Sequence, residues 1–351
     1  MPLPPLIGHE GVKTRLAGAY TSRRLPQAML FAGPKGVGKQ RLALWLAQLI
    51  HCEASAGGGG PRQEPCGECR SCRLVLSLQH PDVHWFVPIE LSKRSSGGAD
   101  ADKQVDLAAD ALADEMAVRR EQPLYPPVAG LASHPIASVR LLLRRLGLTP
   151  AMGKQKVFIV GDAERLIPQI GTEVAANALL KALEEPPADS VIIITAADPN
   201  ALLPTILSRV VLVRVARIAD SAVTAFAQQT LEIERKEELD QRVTAAEGCI
   251  GKLFATDAPR FGGAQLAARF TEAPLVFALG QVPFQARGGF TDMLDALADR
   301  LRDAAKRGGE TDKLVEAIAL VMDARDVAQG NVNPQLLAAV LAEDLHGLEA
   351  L

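Results

Sequence analysis

The sequence predicts an α/β domain built on one doubly wound parallel sheet with helices on both faces, followed by an almost wholly helical region. The first observation is a glycine-rich loop at residues 31–40 (FAGPKGVGKQ), which lies between an apolar strand and a helical pattern. The second is a series of apolar strand segments that alternate with helical segments as far as Val215. The third is the helical periodicity of the remaining chain up to Leu351.

The glycine-rich loop has the strand and helix context that a phosphate-binding loop requires. Its glycines let successive backbone N–H groups turn inward, and the following helix adds the partial positive charge of its N-terminus. The final position normally carries a Ser or Thr hydroxyl that ligates Mg²⁺, but here it is Gln40. We therefore predict weak binding of ATP or ADP at most, with Mg²⁺ binding left open. The predicted phosphate cradle consists of Gly33, Gly36, Gly38, Lys39 and Gln40.

A buried strand at residues 156–160 is predicted to carry the second part of a nucleotide site at its carboxyl end. Asp162 follows it and is the candidate for organising Mg²⁺. Many such enzymes place a water-polarising Glu directly after this Asp, whereas here the next residue is Ala163. Glu164 lies one position further on and is expected to point elsewhere, so we expect no catalytic base. Thr195, at the end of the next apolar strand, completes the candidate set.

Four of the five cysteines lie close together in the sequence, with the spacing Cys-x13-Cys-x2-Cys-x2-Cys. Four thiolates at this spacing can enclose a tetrahedral Zn²⁺, and no histidine is placed to complete a catalytic site with an open position. The prediction is structural zinc, with unmetallated thiols or a redox pair as the alternatives. The predicted ligands are Cys52, Cys66, Cys69 and Cys72.

The composition of the whole chain excludes some classes of protein. The formal net charge of the 351 residues is −3, so the chain as a whole does not attract DNA electrostatically. Neither a signal-peptide pattern at the N-terminus nor a run of eighteen apolar residues is visible. We therefore expect a cytoplasmic protein with no membrane contact, in a reducing compartment that favours metal-bound cysteines over disulfides.

Two polar segments remain without an assigned role at this stage. Residues from about 93 to 134 are predicted to form a surface insertion that carries one amphipathic helix, from Val105 to Arg119. The next helix, at residues 136–146, has a basic face with Arg140, Arg144 and Arg145. An ordinary solvated face and a DNA contact both remain open for these arginines.

Several motifs together resemble those of bacterial clamp-loader subunits. Residues 177–187 (NALLKALEEPP) are similar to one signature of that family, and residues 204–209 (PTILSR) resemble its Ser-Arg-Cys motif, with Val210 in the Cys position. The cysteines after the phosphate-loop helix and the segment at residues 331–337 (NVNPQLL) are also similar. The resemblance covers nearly the full length apart from the insertion.

The resemblance implies an AAA+ fold in three parts. These are a RecA-like domain at residues 1–215 with the zinc module at about 52–72, a helical lid at 216–257, and an all-α collar domain at 258–351. It also implies a pentameric ring with gamma/tau and delta subunits, which opens the sliding clamp and places it on primer-template DNA. Arg209 would be an arginine finger that reaches the ATP of a neighbouring motor subunit, although spacing alone equally allows a surface ion pair.

Within this family the residues favour the delta-prime (stator) type over the catalytic gamma/tau (motor) type. Gln40 replaces the metal-ligating hydroxyl, Ala163 replaces the catalytic Glu, and Gly251 lies where the motor carries a sensor-2 Arg. The alternative is a working ATPase in which the Gln40 amide ligates Mg²⁺ and Glu184 or Glu185 replaces the base. A DNA-binding role for the zinc module is disfavoured by its nearly neutral surroundings. The fifth cysteine, Cys249, is expected to be a small buried hydrophobe of the lid.

Overall fold

A computed structural model of the protein describes most of the chain. The described residues are 3, 6–56, 63–90, 100–121, 132–166, 173–230, 236–253, 263–272, 274, 287–307, 311–328 and 334–347. They form two compact units, which are taken separately below. The first unit comprises residues 1–127, 132–167 and 172–255, and the second comprises 128–131, 168–171 and 256–351.

The first unit is built on a five-stranded parallel sheet with the strand order β2-β3-β4-β1-β5. Every residue of β1, β3 and β4 is buried, because helices cover both faces of a parallel sheet. This arrangement confirms the predicted parallel sheet. The strands are β1 (Ala28–Ala32), β2 (Val83–Phe86), β3 (Lys156–Val160), β4 (Ser190–Ala196) and β5 (Val211–Arg214).

Eight α-helices and two short 3₁₀ helices accompany the sheet in the described part of residues 10–207. The α-helices are α1 (Glu10–Thr21), α2 (Lys39–His51), α3 (Glu53–Ala56), α4 (Arg70–Leu76), α5 (Ala101–Glu121), α6 (Ile136–Leu146), α7 (Val174–Glu184) and α8 (Pro204–Leu207). The 3₁₀ helices are Ala163–Leu166 and Pro199–Ala201. Helix α2 begins at the phosphate loop and packs against β1, β3 and β4, so the loop is fixed to the centre of the sheet.

Helix α5, in the segment predicted as a surface insertion, belongs partly to the main core. Val105, Ala108 and Leu112 are buried, because their i, i+3, i+7 spacing puts them on one side of the helix. They join the apolar cluster of the sheet, and α5 packs against α6. Arg119, only 1% exposed, lies 4.5 Å from the centroid of the Trp85 ring. The helix itself was predicted, but its buried side was not.

Two of the three arginines on the basic side of α6, Arg144 and Arg145, make contacts within the chain, whereas Arg140 is exposed. Arg144 donates a 2.7 Å hydrogen bond to the carboxylate of Asp102 on α5, and lies 3.7 Å from that of Asp106. The guanidinium of Arg145 lies 5.9 Å from the centroid of the Phe86 ring, and burial lowers its pKa. These contacts favour the ion-paired surface over the DNA contact that the sequence left open.

Three helices form a small body after β5, with an apolar cluster separate from that of the sheet. They are α9 (Asp220–Thr230), α10 (Lys236–Ala246) and α11 (Ile250–Leu253). Val223, Phe226 and Ala246 are buried in this cluster. Cys249 is fully buried and packs with the core of the sheet, which confirms the prediction of a small buried hydrophobe.

The second unit is helical throughout its described residues. Its helices are α12 (Gly263–Glu272), α13 (Arg287–Lys306), α14 (Thr311–Ala328) and α15 (Pro334–Gly347). The predicted periodicity of α13 is confirmed, since Met293, Leu294, Leu297 and Leu301 are buried against α12 and α14. None of the helices that the structure describes is long and apolar enough to cross a membrane.

Asp82, directly before β2, fixes the loop that leads into β3. Its carboxylate accepts hydrogen bonds from the backbone N–H groups of Ala151, Met152 and Gly153, with donor–acceptor distances of 2.5, 2.8 and 2.6 Å. Burial alone would raise the pKa of Asp82, but these three bonds outweigh it and leave the pKa below its usual value. The ionised carboxylate is therefore a structural element of this unit.

We expect Asp82→Ala to lower the free energy of unfolding by about 3 kcal/mol, because three backbone N–H groups lose their charged acceptor. Urea denaturation at neutral pH measures the loss. The exposed Asp110→Ala on α5 is the control, with a change within about 0.5 kcal/mol. Since the folded-state pKa of Asp82 is depressed, its stabilisation exists above the unfolded-state pKa and disappears as pH falls through the folded-state pKa. A penalty that stays constant into acid would contradict this role.

Candidate functional sites

The phosphate loop lies at the carboxyl end of β1, beside the ends of β3 and β4. Gly38 has φ 102° and precedes the first residue of α2, so the loop turns sharply into the helix. The N–H of Gly33 donates to the carbonyl of Ala196, the last residue of β4, over 3.3 Å. The hydroxyl of Thr195 accepts a 3.1 Å hydrogen bond from the N–H of Asp162. The structure thus places the residues predicted for a nucleotide site at one edge of the sheet.

Lys39 is held by the loop itself. Its Nζ donates to the carbonyls of Gly33 and Pro34 over 2.7 and 2.9 Å, and the residue is only 6% exposed. Burial lowers the pKa of Lys39, while the nearby carboxylates of Asp162 and Glu164 act in the opposite direction. A phosphate at this loop would have to draw the ammonium away from two carbonyl acceptors.

The side chain of Gln40 packs against Gly161, the residue that follows β3. Its Oε1 accepts a 3.1 Å hydrogen bond from the indole Nε1 of Trp85. A Cβ atom added to Gly161 would lie 2.7 Å from this same Oε1. A side chain at position 161 would therefore point at Gln40, but this position is a glycine. The candidate Asp162 is the next residue, and its backbone φ is 50°. The glycine makes room for the amide, so the two residues form one packed arrangement.

Glu164 lies in the 3₁₀ helix after β3, and its carboxylate reaches the backbone just after β4. Its Oε1 accepts a 3.2 Å hydrogen bond from the N–H of Ala197, just after β4, and its other carboxylate oxygen is buried without a hydrogen-bond partner among the described residues. Burial, followed by the charge of Asp162, raises its pKa, and Lys39 is near enough to counteract this. Glu164 is thus a partly buried residue held by the backbone after β4, and its expected direction away from the site stays a prediction.

The small helical body of α9–α11 contacts the phosphate loop directly through backbone atoms. The N–H of Gly251 donates to the carbonyl of Gly36 over 2.8 Å. A Cβ atom at Gly251 would lie 2.6 Å from the Cα of Gly36, which itself has φ 77°. From the other side, Nε2 of His9 lies 2.8 Å from the carbonyl oxygen of Val37. No side chain fits between Gly251 and the loop, so the cationic side chain of a sensor-2 arginine has no space here.

The four predicted zinc ligands converge in the structure. The sulfur atoms of Cys52, Cys66, Cys69 and Cys72 all lie within 4.8 Å of one another, and the Cys66 and Cys72 sulfurs are 3.9 Å apart. Tetrahedral zinc with Zn–S bonds of about 2.3 Å separates its sulfurs by about 3.8 Å. The donor set and its spacing therefore fit one structural zinc ion, which would crosslink the end of α2 to the start of α4.

Backbone N–H groups surround the sulfur atoms, as expected around thiolate ligands. Cys66, Cys69 and Cys72 donate their N–H groups to the sulfurs of Cys52, Cys66 and Cys69, each over 3.4 Å. The N–H groups of Cys69 and then Glu68 lower the pKa of Cys66 to about 6, while burial raises the pKa of Cys72. A divalent cation would offset the cost of gathering these thiolates in a partly buried site.

One carboxylate attaches the cysteine module to the rest of the unit, and a second one closes the module itself. Glu64 accepts a 2.7 Å hydrogen bond from the indole Nε1 of Trp45 on α2 and lies 3.0 Å from Nζ of Lys13 on α1. Glu53 on α3 accepts hydrogen bonds from both the N–H and the hydroxyl of Ser71 on α4, over 3.1 and 2.8 Å. The module is thus packed onto α1 and α2.

A second group of potential metal ligands, His51, His80 and Asp82, was not identified from the sequence. The three residues are buried, and the two imidazole rings lie 4.2 Å apart. The carboxylate of Asp82 is already occupied by three backbone N–H groups. Nδ1 of His80 accepts the N–H of Asp82 over 3.2 Å, which places the proton of the neutral ring on Nε2. These contacts favour a structural cluster over a metal site.

Arg209, the predicted arginine finger, is held by acceptors of its own chain. It follows Ser208 just after α8, and its side chain is 31% exposed. Its Nε and Nη2 lie 2.7 and 2.5 Å from Oε1 of Glu184, the last residue of α7. Its Nη1 donates to the carbonyl of Thr205 and the hydroxyl of Ser208 over 2.8 and 3.0 Å. The sequence did not predict the contact with Glu184.

The parallel sheet, the glycine loop with its lysine, and the helical body packed on that loop together have the form of a P-loop domain. The family model described as "DNA polymerase III, delta subunit" matches residues 8–219. The chain belongs to this family, the clamp-loader subunits of DNA polymerase III.

Individual relatives carry the names of two subunit types. The chain is 33% identical to DNA polymerase III subunit delta' of Pseudomonas aeruginosa over 185 residues, which cover 52% of this chain and 41% of that protein. It is also 33% identical to subunit delta' of Bacillus subtilis over 186 residues, covering 53% and 41%. To subunit gamma/tau of Mycobacterium bovis it is 30% identical over 204 residues, covering 58% and 27%. The aligned part thus spans less than half the length of each of these relatives.

Proposed function

We propose that this chain is a delta-prime-type subunit of the clamp loader, a stator that helps to place the sliding clamp on primed DNA. Its proposed partners are gamma/tau and delta subunits in a pentameric ring, with the clamp and the primer-template DNA reached through that complex. The proposed compartment is the cytoplasm. The observation that supports the proposal is the Gln40–Gly161 arrangement, because position 40 carries an amide in place of a metal-ligating hydroxyl and position 161 offers no carboxylate toward it.

This arrangement opposes ATP hydrolysis for a physical reason. Mg²⁺ needs oxygen ligands in nearly ideal octahedral geometry and is held in P-loop enzymes by a hydroxyl and a carboxylate. Gln40 provides an amide oxygen that already accepts the Trp85 N–H, and Gly161 provides no carboxylate in the direction of residue 40. The contact of Gly251 with Gly36 supports the same conclusion, since it leaves no space for a sensor-2 side chain.

The proposed architecture follows the three parts of the family. We assign residues 1–215 to a RecA-like AAA+ domain, 216–257 to a helical lid and 258–351 to a helical collar that joins the subunits. Zinc is the proposed structural cofactor, bound by the four-cysteine module at about 52–72. Nucleotide is at most a weak ligand of the loop. Arg209 is the proposed trans-acting finger, which supplies a rigid cation to ATP on a neighbouring subunit.

We expect the purified chain to hydrolyse ATP far more slowly than about 1 s⁻¹, the lower end for competent phosphoryl-transfer enzymes. Steady-state phosphate release measures the rate, and Lys39→Ala identifies contaminating activity because it should leave a contaminant unchanged. Turnover above that rate which disappears in Lys39→Ala would overturn the proposal. The double variant Gln40→Thr with Gly161→Asp should strengthen Mg²⁺-dependent ATP binding, because it removes the amide and adds both missing ligand types.

The second candidate is a working gamma/tau-type ATPase. It is favoured by the similarity to gamma/tau subunits and by Glu164, a buried carboxyl with a raised pKa near Lys39. In this case Glu164→Gln would abolish Mg²⁺-dependent hydrolysis by the isolated chain. The stator proposal expects no hydrolysis to abolish, so the same assay separates the two candidates.

A further inference from the structure

We propose that Glu184 is the positioning residue of Arg209 and that its carboxylate orients the guanidinium for the γ-phosphate of ATP on a neighbouring subunit. The inference rests on the proposed function, which supplies that phosphate. Glu184 would act only through Arg209 and would not touch the nucleotide. It therefore adds a residue of this chain to the hydrolysis that takes place on its neighbour.

The geometry of the ion pair is the first argument. Oε1 of Glu184 lies 2.7 Å from Nε and 2.5 Å from Nη2, so one oxygen faces one edge of the guanidinium. The Nη1 edge donates to Thr205 and Ser208. Four of the five N–H groups of Arg209 thus have acceptors among the described residues. An arginine side chain is otherwise free to adopt many rotamers, and these acceptors select one.

The placement of Glu184 at the end of α7 and of Arg209 just after α8 is the second argument. Glu184 is the last residue of α7, directly after the buried Ala182 and Leu183, so its backbone is anchored in the core. Arg209 follows α8, which packs against α7. A functional side chain is held most accurately when its supporting residues lie on such rigid elements. Two of the motifs that carry the family resemblance, at residues 177–187 and 204–209, therefore meet at this ion pair.

Charge is the third argument. Glu184 is the only ionised acceptor among the three residues that bind the guanidinium, and charge-assisted hydrogen bonds are the strongest ones that arginine makes. A glutamine at this position would keep an oxygen of the same shape but lose the charge. Alanine would release the Nε and Nη2 edge completely. Glutamine should therefore loosen the position of the Arg209 guanidinium in part, and alanine should loosen it more.

The experiment uses the complex reconstituted with gamma/tau and delta subunits, sliding clamp, primed DNA and ATP. Its variants are Glu184→Ala, Glu184→Gln, Arg209→Ala, the double variant Glu184→Ala/Arg209→Ala, and Glu173→Ala, an exposed carboxylate at the other end of α7. We expect Glu184→Ala to slow clamp loading about tenfold with the KM for ATP unchanged, since a misplaced catalytic group affects the chemical step. Glu184→Gln should give an intermediate rate, and Glu173→Ala the wild-type rate.

The double variant provides the readout that a merely structural role would not change. If Glu184 acts through Arg209, the double variant should be no slower than Arg209→Ala alone. Additive losses, or a wild-type rate for Glu184→Ala beside a slow Arg209→Ala, would overturn the inference and leave the proposed function intact. A wild-type rate for Arg209→Ala would instead remove the proposed finger role of Arg209, and the inference with it. Glu184→Gln keeps the test valid if the alanine variant fails to assemble.

Discussion

Arg209→Ala should slow hydrolysis at the adjoining ATP site of the reconstituted clamp loader by about 10³- to 10⁵-fold, the usual contribution of an arginine finger. The transferring phosphoryl group needs a rigid and permanently charged fork, which a shortened side chain lacks. The family resemblance implies several ATP sites in the ring, so total hydrolysis should fall only in part. Clamp loading should fall further, because it needs every site. Both rates are measured with clamp and primed DNA present.

Two further variants make the Arg209 experiment specific. Arg209→Lys keeps the positive charge but not the planar fork, so it should recover little activity. Arg214→Ala, which removes another exposed arginine from β5, is the control and should load clamps at the wild-type rate. If the Arg209→Ala complex assembles normally and loads clamps as fast as wild type, Arg209 is not a finger and only forms a surface ion pair with Glu184.

Cys72→Ser should reduce the zinc content of the purified protein from about one equivalent per chain to nearly none. It removes a fully buried ligand, and zinc binding to structural sites is worth about 10–16 kcal/mol in small peptides. Because the cysteines form no disulfide, the proposed metal would be the covalent-strength crosslink of the module, and we expect residues 63–76 to become sensitive to protease when it is lost. Elemental analysis after washing with chelator measures the first effect, and limited proteolysis measures the second.

The zinc experiment has a matched control in the fifth cysteine. Cys249→Ala removes a buried thiol that is distant in the sequence from the module. This variant should keep one equivalent of zinc. Cys69→Ser should behave like Cys72→Ser and loosen the module, while the parallel sheet and its phosphate loop stay folded. Structural zinc would be ruled out if the wild-type chain lost its metal on washing with chelator and its unfolding temperature stayed the same as before washing.

The sequence alone determined the features that depend on neighbouring residues. The apolar strands predicted the parallel sheet, because strands buried on both faces are continuous apolar runs, as in β3 and β4. The spacing of the cysteines predicted a four-sulfur cluster, because Cys-x2-Cys turns bring thiols together locally. The motif at residues 204–209 identified Arg209 as a candidate. In each case the relevant contacts lie within a few residues or repeat with a regular period.

Only the tertiary structure decided which distant residues meet. Gln40 and Trp85 are 45 positions apart, and Glu184 and Arg209 are 25 apart, so neither pair leaves a local pattern in the sequence. In the sequence, Gly161 is only the residue after a strand. The structure shows that a Cβ atom at this position would collide with the Gln40 amide. The direct contact of Gly251 with Gly36 was likewise invisible. Periodicity and spacing describe one segment at a time, whereas these contacts depend on how folded segments approach each other, and that approach is set by the packing of the whole unit.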